Sequence, residues 1–171
     1  MSAVFTAALI ARHSEKAVSV NGEKKDDGTA VIQWPFQGGD HQKWNLEATT
    51  GGYYVVRAVH SGKALSVEGE STANGAKVIQ WGHVTGPHQE WRLVQKDNGY
   101  FALQNRHSGQ YLSVNGESTD NGTALGDYHG KDPQPALLTI RRRTVAVLNR
   151  QRKWRRQAKD DARLLYGGGG T

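Results

Sequence analysis

The sequence predicts an all-β domain of twelve short strands, laid out as three copies of one unit. Three observations lead there. Marker residues recur at a spacing of 47: His13, His60 and His107; Ser19, Ser66 and Ser113; Gly22, Gly69 and Gly116; Gly28, Gly75 and Gly122. The segments that begin at His60 and His107 share 12 of 17 residues, so a duplicated unit is the only reasonable source. Between the markers, short runs with apolar alternation are separated by clusters of Gly, Ser, Asn and Asp, without a helical period.

Each unit reads in the same order. The first strand alternates, as in Tyr54, Val56 and Ala58. A His-Ser-Gly turn follows; unit one has Glu15 in place of the glycine, so that turn is expected not to rely on a positive φ. The next strand is Ala64-Leu65-Ser66-Val67, and residues 68–75 have loop composition. Residues 77–81, ending in Val-Ile-Gln-Trp, form a third strand. After a second loop, Gln89-Glu90-Trp91 leads into the fourth, residues 92–94. Twelve such strands are expected to close on themselves, because open edges invite unwanted pairing.

Several repeated residues have structural expectations. Trp44 and Trp91 should pack in the core, each indole N–H finding an internal acceptor. Gln42 and Gln89 should bond loop backbone. His13, His60 and His107 sit at turns of separate units, too far apart to converge on a metal or a reaction.

Composition narrows the function. The chain of 171 residues has a formal net charge of +6, 36% hydrophobic residues and no cysteine. Disulfide and thiolate chemistry are therefore excluded. No apolar run reaches the length of a membrane span. The N-terminus lacks a basic region and cleavage site, so the sequence reads as cytoplasmic. No P-loop, HExxH or serine-elbow motif is present, and no enzyme activity, metal or cofactor is expected. The charge is uneven. Residues 1–140 carry 12 basic and 14 acidic side chains; residues 141–171 carry ten basic and two acidic ones. The basic character belongs to a tail.

The tripled unit, its Leu-x-Val and Val-Ile-Gln-Trp strands, and the Gln-x-Trp signature at Gln42/Trp44 and Gln89/Trp91 resemble the ricin B-type β-trefoil lectins and related carbohydrate-binding modules. The resemblance implies a six-stranded barrel capped by three hairpins, with non-catalytic sugar binding at up to three shallow pockets. Glycans or polysaccharides would be the partners, and many members of the family are secreted. It covers roughly residues 5–134. Carried over by position, the pockets would use Ser19, Trp34, His41 and Gln42 in unit one and Ser66, Trp81, His88 and Gln89 in unit two. A weaker third site would use Ser113 and Tyr128. Ser19, Ser66 and Ser113 stand where the family usually has an acid, and a neighbour such as Asn21, Glu23, Glu68, Glu70, Asn115 or Glu117 could compensate.

Domain boundaries follow the repeats: a trefoil over residues 1–140, with units at about 6–52, 53–99 and 100–140, and a tail over 141–171. Unit three departs after Leu125. Aligned with two residues missing, it has Ala136 where the signature Trp belongs, and Pro133 and Pro135 argue against a central strand. Its closing strand is therefore expected to be missing or remodelled; a changed reading frame near Gln134 would produce the same break. The tail could form a basic helix with Val145, Leu148, Ala158, Ala162 and Leu165 on one face. Two other functions remain open at this level: a protein-binding trefoil with Trp34 and Trp81 packed, and attachment to nucleic acid or an anionic surface through the tail.

Overall fold

The computed structural model describes residues 4–142. The tail from residue 143 onward, with its expected helical stripe, lies outside the described residues. Twelve strands form: β1 (Val4–Ala11), β2 (Ala17–Val20), β3 (Val31–Trp34), β4 (Trp44–Ala48), β5 (Tyr53–Ala58), β6 (Ala64–Val67), β7 (Ala76–Trp81), β8 (Glu90–Gln95), β9 (Phe101–Asn105), β10 (Tyr111–Val114), β11 (Leu125–Tyr128) and β12 (Leu138–Arg142). The strand β12 thus includes Arg141 and Arg142.

Six strands close a barrel in the cycle β1–β4–β5–β8–β9–β12 and back to β1. The hairpins β2–β3, β6–β7 and β10–β11 cap one end. The hairpins also pair with one another, through Gly126 with Lys77, Ala30 with Ile79 and Ile32 with Ala124. This is the β-trefoil the repeats predict. Its core is made of triplets at the 47-residue period, such as Leu9, Val56 and Leu103, and Val18, Leu65 and Leu112, all buried.

The signature residues join barrel to cap. Trp44 and Trp91 are fully buried. Their indole N–H groups donate to the carbonyls of Val18 and Leu65, both at 2.9 Å. Gln42 and Gln89 are equally buried and use both ends of the amide. Gln42 donates to the Ser19 hydroxyl and the Pro35 carbonyl and accepts from the Gln37 N–H. Gln89 repeats this with Ser66, Gly82 and Val84. A buried amide so satisfied fixes the loop around it.

Unit three is remodelled, and its register corrects the alignment with two missing residues. Trp91 pairs across from Tyr54, and Leu138 pairs across from Phe101, 47 residues further on. Leu138, not Ala136, therefore occupies the signature Trp position, and Ala136 takes the place of the signature Gln. The strict spacing survives because the closing strand must meet β9 at the register its counterparts use. The backbone N–H of Ala136 donates to the Leu112 carbonyl at 3.0 Å, the same carbonyl position the two indoles serve. Both prolines precede β12, so they do not interrupt it.

A second substitution has a matching compensation. Gln33 donates to the carbonyls of Ser118 and Asp120, and Gln80 to those of Lys24 and Asp26, tying each unit to its neighbour's loop. Unit three has Asp127 at that position, which cannot donate when ionised. Gln110 reaches in instead, donating to Asp127 at 3.0 Å and to the carbonyls of Thr72 and Ala73. Asp127 is fully buried, and one of its oxygens has no partner. Burial raises its pKa above the usual 3.8, against the charge-favouring influence of the Ser108 hydroxyl, the Gln110 amide and the nearby His107.

The turn at Glu15 differs from expectation. Glu15 adopts φ 59°, the same conformation as its counterparts Gly62 (74°) and Gly109 (73°). Each of the three donates its N–H to the carbonyl four residues back, so the turn geometry is imposed by the hairpin and the side chain must comply. A non-glycine residue there costs about 1 kcal/mol. Glu15 is exposed, so Glu15→Gly is expected to gain about that much in urea unfolding, with an unchanged denaturant slope.

Asp127→Asn should also stabilise, by about 1 kcal/mol at neutral pH, because it removes a buried charge and keeps an acceptor for Gln110. The native carboxyl holds its proton more tightly than the unfolded one. Native stability therefore falls as pH rises from 3.8 to the raised value, and the advantage of Asn vanishes below that window. Unfolding curves from acid to neutral pH check both statements.

Candidate functional site

Two cavities open on the cap at equivalent places. One, of about 270 Å³, is lined by Ser19, Asn21, Glu23, Trp34, Gln37 and His41, with Ile32 at its floor. The other, of about 380 Å³, is lined by Ser66, Glu68, Glu70, Trp81, Val84 and His88, with Ile79. Every member of the second lies 47 residues beyond its counterpart in the first.

The indoles of Trp34 and Trp81 end β3 and β7 and are 37% and 43% exposed, in contrast to the buried Trp44 and Trp91. A loop of the neighbouring unit backs each ring. Gly122 faces Trp34 and Gly28 faces Trp81, and a Cβ built on either glycine would lie 3.8 Å from the ring. Both glycines have positive φ, 85° and 87°, so the supporting loops depend on glycine for conformation as well. Each indole thus has a neighbouring unit's loop beside it and remains partly exposed.

His41 and His88 sit in single 3₁₀ turns, Asp40–Gln42 and Pro87–Gln89. Their rings pack on Gly39 and Gly86, where a Cβ would come to 2.7 and 2.9 Å. The Nδ1 atoms are buried without a hydrogen-bond partner. Each lies 3.9 Å from a carboxylate oxygen, of Glu23 and Glu70 respectively. Burial lowers both imidazole pKa values below the usual 6.5, more than the glutamates raise them, so the rings are neutral at neutral pH. The glutamates hold a costly backbone conformation, φ 56° and 55°, directly after a glycine that is also left-handed. Glu117 repeats it at φ 52° in unit three, so the conformation is set by the repeated turn and serves to aim the carboxylate at the cavity edge in units one and two.

The other expected site residues are placed behind the cavities or on their walls. Ser19 and Ser66 touch the cavities but are buried, donating to the carbonyls of Ala17 and Ala64 and accepting from Gln42 and Gln89. Gln42 and Gln89 do not reach the cavities; they hold the loops that do. Gln37, Val84, Ile32 and Ile79 were not singled out in the sequence, although the 47-residue offset from either cavity would have found their partners. His13 and His60 are occupied elsewhere: their Nε2 atoms donate to the carbonyls of Ser118 and Lys24 in neighbouring units. Among the described residues, no group of three or more His, Cys, Asp or Glu is placed to hold a metal ion, and no helix is long and apolar enough to cross a membrane.

Unit three closes over its own position. Gly126 replaces the isoleucine, and the Tyr128 ring lies within 2.7 Å of where a Cβ would stand. Tyr128 donates its hydroxyl to Asn115 at 2.8 Å, and Glu117 accepts the Gln134 N–H at 2.9 Å. Ser113 is buried and donates to the Tyr111 carbonyl. Of the counterparts of the cavity-lining groups, Tyr128 and Asn115 are here bonded to each other, and Glu117 and Ser113 to backbone.

A family model for ricin-type beta-trefoil lectin domain-like sequences matches residues 6–81, 40–128 and 87–154. Among solved structures, the designed 3-fold symmetric protein ThreeFoil is 42% identical with a TM-score of 0.77, covering 80% of this chain and 97% of that one. The exo-beta-1,3-galactanase 1,3Gal43A from Clostridium thermocellum is 27% identical, with a TM-score of 0.78; the match covers 81% of this chain and 30% of the enzyme. A ricin B-like lectin from Macrolepiota procera, solved in complex with lactose, shares the fold at 21% identity and a TM-score of 0.68, with 81% and 95% covered. No curated protein sequence matches the chain.

The buried histidines make stability depend on pH. As pH falls below 6.5, the unfolded chain takes up protons that native His41 and His88 resist, so stability declines until the lowered native values are reached. The double variant His41→Gln/His88→Gln should lose stability less steeply over that range. Some slope should remain, because burial and Arg57 lower His83 in the same direction. Urea midpoints across mildly acidic to neutral pH make the measurement.

Proposed function

This chain belongs to the ricin-type β-trefoil lectin-like family, and from that premise we propose that it binds carbohydrate, without catalysis, at the two cavities of units one and two. The observation that carries the reading is the repetition of one constellation: an exposed indole backed by glycine, a strained glutamate and a buried neutral histidine. Core packing needs none of these exposures.

The chemistry suits a sugar. A pyranose has an apolar C–H face and a rim of hydroxyls. Stacking the C–H face on Trp34 or Trp81 removes apolar area from water at little entropic cost, because the ring is already fixed. Glu23 and Glu70 accept hydrogen bonds from sugar hydroxyls, and a charged acceptor makes the stronger bond. They supply the carboxylate that Ser19 and Ser66, at the family's usual acid position, do not. His41 and His88 offer a ring nitrogen in a fixed orientation. Each pocket is shallow and binds weakly alone. Two on one rigid body raise avidity for a repeating polysaccharide by roughly 10²–10⁴ without any new contact.

Binding to a panel of soluble polysaccharides is the test. Trp34→Ala and Trp81→Ala should each lower avidity at least tenfold and together abolish retention, in variants that unfolding curves show still to be folded at the assay temperature. Unchanged binding in the double variant would remove the platforms from the mechanism.

A further inference from the structure

Resting on the reading above, we propose that the two sites take different sugars and that the second, at Trp81, selects an amino sugar carrying a free ammonium group. The two cavities match at seven of the nine lining positions, and the two that differ change the hydrogen-bonding inventory. Asn21 becomes Glu68, and Gln37 becomes Val84.

The first site therefore presents two side-chain amides, each able to donate and accept. The second has lost both. Glu68 and Glu70 only accept. Ser66 spends its proton on the Ala64 carbonyl. Val84, 51% exposed, offers an apolar ledge beside the indole. The side-chain donors that remain are the Trp81 indole N–H and the ring of His88, whose side chain is 9% exposed and whose Nδ1 is buried without a hydrogen-bond partner. Relative to the first site, the second has lost two amide donors and gained a carboxylate, which favours a ligand that brings additional donors. A hexosammonium group brings three N–H donors and a positive charge. Its N-acetylated form brings a carbonyl that needs the amide donors the second site lacks.

Charge points the same way. The second rim carries two carboxylates where the first carries one. Glu68 and Glu70 flank Gly69 in one turn, Glu68–Glu70, so both act on the same end of the cavity. Unit three has Asn115 at this position, already engaged by Tyr128, so the acidic substitution is specific to unit two. A cation over the indole face gains further from the ring quadrupole.

The experiment compares glucosamine oligomers with N-acetylglucosamine oligomers of the same length, by calorimetry on the full chain carrying Trp34→Ala. The expected result is a preference of about fivefold or more for the free amine. It should shrink with added salt and on raising the pH past the amine's pKa. It should disappear in Glu68→Asn/Val84→Gln, which copies the first site. Equal or tighter binding of the N-acetylated oligomers overturns the inference and leaves the sugar-binding reading intact. Free-amine binding that survives Trp81→Ala is surface charge attraction and also overturns it. Failure of the unmutated chain to bind any glycan in the polysaccharide panel sinks the earlier reading instead.

Discussion

The hydrogen bond from each signature indole to a cap carbonyl is the contact on which the rest depends. Trp44 belongs to the barrel and Val18 to a cap hairpin, so this bond sets the height of the cap over the core. Two residues earlier, Gln42 fixes the loop between β3 and β4 by three further bonds. That loop carries His41, and the hairpin carries Trp34. The exposed cavity is therefore positioned from below by residues that no ligand can reach. Its buried serine belongs to the same apparatus: the Ser19 hydroxyl is small enough to fit beneath the glutamine amide and completes its satisfaction.

Unit three shows which part of that apparatus is dispensable. The barrel needs a strand between β9 and β1, and Leu138 to Arg142 supply it without the signature residues. The carbonyl at Leu112 would be left unpaired without an indole, and a backbone N–H moves in to meet it. A buried acceptor must be matched, but the donor's identity is free. The cavity makes no such demand on the fold. Once Ile and Trp become Gly126 and Tyr128, the tyrosine drops over the glycine and bonds Asn115. Closure of the barrel is enforced by cooperative stability; an open pocket is not.

The electrostatics divide in the same way. Inside, neutrality is favoured: His41 and His88 are held uncharged, and Asp127 is pushed toward its protonated form. The carboxyl groups of Glu23, Glu68 and Glu70 stand instead at the exposed rim. The +6 of the whole chain says nothing about these sites, because the first 140 residues carry an excess of acids.

Much was legible in the sequence because the unit is repeated. The 47-residue period fixed the strand order, the turns and the core triplets. It also identified Trp34, Trp81, His41 and His88 as paired positions. A residue written twice in the same context constrains its environment more than any propensity does. Three matters were settled only by the tertiary structure. Whether a repeated residue faces the core or the cavity depends on a strand's neighbours, which is why Gln42 and Trp34 could not be told apart by spacing. The register of unit three was set by pairing with β9, a contact between distant parts of the chain that local similarity misread by two residues. The support for each indole comes from another unit's glycine, a relation across the threefold axis that one unit's sequence cannot contain. The sequence determined what each unit builds, because its information is local and repeated. The closed barrel decided what the units do to one another, because those contacts exist only when all three are in place.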